Sequence, residues 1–144
     1  FRVKAASADG KLTDGFEQSV PVAAREVSRT VSDTAMIGTN EMIEVILRID
    51  SDESREFLHL RDPIPAGLEP MMQLSGYHQS AYRESWTGES HFFISELSHW
   101  NRNHRYTLSV VTEGVCLALP AHVECLYSPE IRGRSAARRF SIER

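Results

Sequence analysis

The sequence predicts an all-β fold, an antiparallel immunoglobulin-like β-sandwich of about seven to nine short strands. Apolar residues alternate with polar residues in several runs, which is the period of a half-buried strand. Turn-forming residues separate these runs, and no window of about 11 residues or more sustains a helical period. Two sheets packed face to face would then bury one side of each strand.

The N-terminal part is interpreted as a hairpin that precedes the main domain. Residues 1–25 begin with the alternating run from Phe1, continue through an Asp9-Gly10 turn signal and end near Pro21. The chain starts with Phe1 rather than Met, so we expect it to be a fragment of a longer protein. One strand is expected at residues 26–31, and the sandwich domain is expected to cover residues 26–144.

The clearest strand follows Glu41, because four apolar residues share one face of it: Ile43, Val45, Leu47 and Ile49. A polar turn at residues 50–54 leads to a second run, in which Phe57, Leu58 and Leu60 are expected to point inward. Pro63 and Pro65 should end that strand, since proline has no backbone N–H to donate.

Later strands are expected on both sides of the Thr87-Gly88 turn, at residues 106–110, 123–127 and 140–142, with a short strand before Gly76. The aromatic residues near this turn, among them Trp86 and Phe92, have strand-like spacing. We therefore interpret them as core residues rather than as a surface that stacks on a ligand.

The composition excludes several classes of protein. The chain has 144 residues, 41% of them hydrophobic and 25% charged, with a net charge of −4, which is ordinary for one globular domain and gives no overall attraction for nucleic acid. The basic residues near the C-terminus lack interleaved aromatics, so a solvated edge is favoured over a phosphate site; they are Arg132, Arg134, Arg138 and Arg139. No apolar stretch is long enough to cross a bilayer.

No motif in the sequence indicates an enzyme, a metal site or a cofactor. The six histidines, including His91, His99 and His104, lack the spacing of zinc ligands, so we expect surface or turn histidines. There is no nucleophile-elbow pattern and no glycine-rich phosphate loop.

Two cysteines, Cys116 and Cys125, lie nine positions apart. Adjacent strands could bring them within bridging distance, and a disulfide would then indicate an oxidising compartment. The spacing leaves a disulfide and two buried thiols equally open.

Two segments together resemble a known family. One reads LRDPIPAGLEP from Leu60 to Pro70, and the other reads LYSPEIRGRS from Leu126 to Ser135. Together they resemble the C-terminal macroglobulin-like domain of bacterial alpha-2-macroglobulins, in the variants of Bacteroidetes-type bacteria, over roughly residues 40–135. The residues that carry the resemblance are interpreted as structural: Asp62, Pro63, Pro65, Gly67, Tyr127 and Pro129.

Physical reasons support a structural role for these residues. Gly67 would allow a positive φ at a chain corner, and Tyr127 is expected to bury its ring while its hydroxyl reaches a backbone partner. Residues 1–22 are similar to the segment that precedes the thioester domain in this family, but the family's Cys-x-Glu-Gln thioester pattern is absent from the sequence.

The resemblance implies a macroglobulin-like β-sandwich within a large, exported protease trap in the periplasm, on the cell surface or outside the cell. We therefore expect a non-enzymatic structural or interaction domain of an endopeptidase inhibitor. Its expected partners are neighbouring domains and, through the full-length parent, target proteases, with no nucleic acid and no direct membrane insertion.

Two rival functions remain open. The corner motif from Asp62 to Pro70 also suits an immunoglobulin-like spacer domain of a bacterial surface or adhesion protein, and tandem copies of it in the parent would favour that function. A carbohydrate-binding sandwich would use Trp86 or Trp100 to stack on a sugar.

Overall fold

The chain folds as an antiparallel all-β sandwich, which confirms the predicted fold class. A computed structural model describes residues 24–31, 42–71, 75–78 and 80–142. These residues form twelve strands, and none of them forms a helix that could cross a lipid bilayer. The strands are β1 (Ala24–Val31), β2 (Met42–Ser51), β3 (Arg55–Pro63), β4 (Leu68–Pro70), β5 (Gly76–His78), β6 (Ala81–Trp86), β7 (Glu89–Leu97), β8 (Asn103–Val110), β9 (Gly114–Ala118), β10 (His122–Cys125), β11 (Ser128–Arg134) and β12 (Arg138–Ile142).

The strands form three sheets. A four-stranded sheet has the order β1-β2-β8-β4, and a six-stranded sheet has the order β11-β10-β3-β7-β6-β5. A two-stranded sheet joins β12 to β9. Every pairing is antiparallel, as expected for strands joined by short turns.

The core is built from the inner faces of these sheets. In β2 the alternation seen in the sequence becomes alternate burial, with Ile43, Val45, Leu47 and Ile49 all buried. Leu58 and Leu60 of β3 are buried as expected, together with Phe92 and Ile94 of β7. Each such side chain contributes about 1.5–3 kcal/mol by leaving water.

The corner after β3 fixes the path of the chain between the sheets. Gly67 has a φ of +85°, a conformation that favours glycine, as the sequence predicted. Its carbonyl accepts hydrogen bonds from the backbone N–H groups of Val111 at 2.9 Å and Thr112 at 3.3 Å. A Cβ at this position would lie 3.0 Å from the Thr112 carbonyl oxygen, so glycine is required by conformation and by space.

More strands are present than the sequence indicated. β4 and β5 have three residues each, which is too short for alternation to be visible. The predicted strand through Met71, Met72 and Leu74 falls mainly on residues 72–74, which lie outside the described residues. The hairpin predicted for residues 1–25 also lies outside them, except for the first two residues of β1, so the boundary at residue 25 stays a prediction.

Two inward positions were predicted wrongly. Phe57 is exposed because its neighbour Leu58 points inward, and successive side chains of a strand point to opposite faces. Tyr127 is 78% exposed rather than buried. The two rings meet edge to face with centroids 5.2 Å apart, at the end of β3 opposite to the Gly67 corner.

Candidate interaction surface

The outer face of the six-stranded sheet, meaning the side that points away from the core, carries a cross-strand row of aromatic and charged side chains. The register places Glu124, His59, Phe93 and Tyr82 side by side on four neighbouring strands. The His59 ring stacks on Phe93 with centroids 4.7 Å apart and an interplanar angle of 1°. Such cross-strand pairs fix the registers of the strands that carry them.

A chain of four titratable groups runs across this face. His59 Nε2 lies 2.9 Å from His91 Nδ1, so one proton joins the two imidazoles. At the two ends, His91 Nε2 lies 3.2 Å from Glu89 Oε2, and His59 Nδ1 lies 3.9 Å from Glu124 Oε1. The His91–Glu89 contact has the distance of an ion pair without the geometry of a hydrogen bond.

The contact between the rings constrains their tautomers. One of the two facing ring nitrogens must donate and the other must accept, so this hydrogen bond forms only when one of them carries no proton. The pKa of His59 is lowered by burial and by His91, and the carboxylate of Glu124 opposes that shift.

His91 is only 2% exposed although it projects from the outer face. The Trp86 ring covers it at a centroid distance of 3.9 Å, and Trp86 Nε1 donates to Glu84 Oε2 at 2.8 Å. The prediction that Trp86 fills the core was therefore wrong, because this ring covers the sheet from outside. Trp100 is 95% exposed, at the turn that follows β7.

The prediction of surface or turn histidines was also wrong for His104, which is 1% exposed on the inner face of β8. Its ring packs near Phe92 at 5.6 Å, and neither ring nitrogen has a hydrogen-bond partner among the described residues. Burial lowers the pKa of His104 to about 4, so the ring is neutral near pH 7. His99 is exposed, and within the described ranges no three His, Cys, Asp or Glu side chains converge as metal ligands would.

Asp62 joins the two large sheets through a hydrogen bond that the sequence did not reveal. The carboxylate is fully buried, and Tyr106 Oη donates to its Oδ2 at 2.6 Å. The Arg83 guanidinium lies over the Tyr106 ring at 5.2 Å and near the Phe92 ring at 5.9 Å. Burial lowers the pKa of Arg83, and the adjacent Tyr106 opposes that shift.

The structure divides the six motif residues between the two ends of β3. At one end of β3 lie its last two residues, Asp62 and Pro63, and the corner that follows, with Pro65 and Gly67. Near the beginning of β3 lies the connection between β10 and β11, with Tyr127 and Pro129. Pro65 is buried and Pro129 is exposed.

The two cysteines are free thiols on strands of different sheets. Cys116 of β9 is buried, and burial raises the pKa of its thiol. Cys125 of β10 is half-buried, and its Sγ lies 3.3 Å from the carbonyl oxygen of Glu56.

An apolar stripe lies exposed on the two-stranded sheet. Cys116 and Ala118 point inward from β9, so Val115 and Leu117 point outward, and Leu119 follows them along the chain. Val115 is 70% exposed, and Leu117 and Leu119 are each about half exposed. A sequence that is apolar on both faces of a strand could have indicated this stripe, but such a run also suits a strand buried on both sides.

Comparisons with known proteins agree with this architecture. The chain resembles the structure of a mutant of Salmonella alpha-2-macroglobulin with a TM-score of 0.74 and 17% identity, over 94% of this chain and 10% of that one. It resembles Escherichia coli alpha-2-macroglobulin activated by porcine elastase with a TM-score of 0.72 and 21% identity, over 90% of this chain and 14% of that one. A cohesin module from a Clostridium perfringens family 33 glycoside hydrolase matches with a TM-score of 0.53 and 11% identity, over 82% of this chain and 97% of the module.

At these identities the structural likenesses show the fold alone, and no curated protein sequence matches the chain. The chain spans about a tenth of the length of the Salmonella protein that it resembles. The family model for the bacterial alpha-2-macroglobulin MG10 domain matches residues 19–130, which is most of the sequence. The chain therefore belongs to the family of bacterial alpha-2-macroglobulin MG10 domains.

Proposed function

We propose that this chain is a non-enzymatic domain of an exported alpha-2-macroglobulin-like protease inhibitor, and that it packs against neighbouring domains of a protease trap. The domain would act in the periplasm, on the cell surface or outside the cell. In such a trap, cleavage of a bait region changes the conformation so that the protease is enclosed, and this domain would help to position the parts that move. The family match over residues 19–130 is the observation that carries the proposal.

The exposed apolar stripe on β9 supports a packing role. Val115 and Leu117 point outward from one face of the two-stranded sheet, Leu119 follows just after β9, and all three contact water in the isolated domain. Contiguous exposed apolar residues commonly mark a surface that another protein covers. A neighbouring domain of the parent is the expected occupant, because this chain spans only a small share of the full-length proteins it resembles.

The proposal is tested with the full-length parent protein and a panel of endopeptidases. A trap should block cleavage of a large protein substrate but spare cleavage of a small chromogenic peptide, because the enclosed protease keeps its active site. We expect Leu117→Lys in the parent to weaken this discrimination. Met42→Lys is the matched control, since Met42 is an exposed apolar residue outside the stripe. If the parent spares both substrates with every protease tested, the inhibitor function is contradicted.

The rival function is a spacer domain of a surface or adhesion protein. The likeness to a cohesin module shows that a similar fold also occurs outside alpha-2-macroglobulins. Sequencing the parent gene separates the two functions. Tandem copies of the segment from Asp62 to Pro70 together with a wall anchor would favour the spacer, whereas a bait region or a thioester motif would favour the trap.

A further inference from the structure

A row of basic side chains crosses three neighbouring strands on the outer face of the six-stranded sheet. The register places Arg134 of β11 opposite His122 of β10, and His122 opposite Arg61 of β3. All three side chains lie on the outer face, because their neighbours Leu60, Asp62 and Val123 are buried in the core. Both arginines are exposed, and His122 is half-buried between them.

The row is electrostatically unfavourable in the isolated domain when His122 is protonated, because like charges directly opposite each other on a sheet are destabilising. The pKa of His122 is lowered by burial first, and then by Arg61 and Arg134, while Glu124 and Glu89 oppose the shift. Across the described ranges, neither arginine of the row forms an ion pair or a side-chain hydrogen bond. By contrast, Arg132, also on the outer face, lies opposite Glu124 in the register.

The size and the charge of the row indicate which kind of ligand would bind to it. Neighbouring strands are about 4.8 Å apart, so the backbones of Arg134 and Arg61 are about 10 Å apart. Two carboxylates at alternate positions of an extended peptide are about 7 Å apart and can reach both arginines. A long polyanion is less suited, because the chain as a whole has a net charge of −4 and would repel it outside the row.

We propose that the row Arg134–His122–Arg61 docks a short acidic segment of another protein domain, with two carboxylates that share the row's positive charge. This docking deepens the proposed packing function, because it names a second contact surface and the chemistry of the partner. It rests on the proposed function for one point, that the acidic segment comes from a neighbouring domain. Docking would also favour the protonated form of His122, so binding should strengthen as the pH falls through the pKa of this histidine.

The test uses the full 144-residue chain and an extended peptide with glutamates at alternate positions, measured by calorimetry and by NMR of the His122 ring. The matched peptide carries glutamine in place of each glutamate. We expect the glutamate peptide to bind, its affinity to fall with added salt, and the pKa of His122 to rise on binding. Arg61→Gln combined with Arg134→Gln should weaken binding at least tenfold. Arg139→Gln, an exposed arginine on β12, should change it less than twofold.

Several results would overturn the proposal: no binding of the glutamate peptide, equal binding of the glutamine peptide, or equal weakening by the Arg139 control. Tighter binding of a sulfated oligosaccharide of equal charge would instead assign the row to polyanions. Since neither arginine of the row forms an ion pair among the described residues, the double variant should be about as stable as the wild type, and a lower midpoint of thermal unfolding would contradict the row as described. If the double variant is less stable, the single variant Arg134→Gln on the edge strand β11 is used instead to test whether the row binds the glutamate peptide. The trap assay on the parent is independent, so failure of the peptide to bind leaves the proposed function standing.

Discussion

The buried His104 predicts a loss of stability in mild acid whose size follows from its surroundings. The ring is neutral in the folded chain because burial lowers its pKa to about 4, whereas in the unfolded chain it titrates near its ordinary value of about 6.5. As the pH falls below 6.5, His104 takes up a proton in the unfolded state but not in the folded state, so the free energy of unfolding decreases. Linkage gives a loss of about 2 kcal/mol at pH 5 and about 3 kcal/mol near pH 4.

The prediction is checked by urea unfolding, followed by circular dichroism, at pH 8 and pH 5. The wild type should lose about 2 kcal/mol more between these pH values than His104→Leu, because leucine cannot take up a proton. Other titrating groups contribute equally to both proteins and cancel in the difference. His99→Leu is the matched control, since His99 is exposed, and it should behave as the wild type. If the wild type and His104→Leu lose the same stability, the ring is not held neutral by burial.

Three further results are expected. Tyr106→Phe should lower the free energy of unfolding by about 2–3 kcal/mol, because it removes the hydroxyl that donates to the buried Asp62 carboxylate at 2.6 Å; a loss below 0.5 kcal/mol in urea unfolding would contradict this role. Gly67→Ala should lower the free energy of unfolding more than Gly88→Ala in the same assay. Both glycines have a positive φ, which costs about 1–2 kcal/mol for alanine, but of the two only Gly67 would bring the new Cβ against a backbone oxygen, at 3.0 Å. In NMR of the nitrogen-labelled chain, a coupling across the hydrogen bond should join His59 Nε2 and His91 Nδ1, because they lie 2.9 Å apart; no such coupling would contradict the shared proton.

The sequence predicted most accurately those elements whose burial is decided by local alternation. β2 is the clearest case, because four apolar residues at alternate positions all became buried. The Gly67 corner was also predictable, since adjacent prolines and a glycine restrict the backbone whatever surrounds them. Phe57 shows the limit of this reasoning, because in the apolar run Phe57-Leu58 only one of two adjacent side chains can point inward, and the residues alone do not say which.

The candidate surfaces could not be predicted, because they arise from register between strands that are distant in sequence. His59 and His91 are 32 positions apart, and only the β3–β7 pairing brings their rings together. Likewise, Arg61 and Arg134 became part of one row through β10, which lies between their strands. In the sequence, Arg134 is visible only as part of a basic run near the C-terminus, because its partners across the sheet are distant in sequence. A single sequence, considered by itself, offers no signal for such pairings.

The position of Trp86 over His91, at 3.9 Å between ring centroids, gives the domain an optical reporter of its outer face. The Trp86 ring is 53% exposed, so its fluorescence depends on what covers this face. A partner that covers Trp86 or moves it off His91 should change the emission, and Trp100→Phe removes the signal of the other, 95% exposed tryptophan. Docking on this face can thus be followed in real time without any added dye.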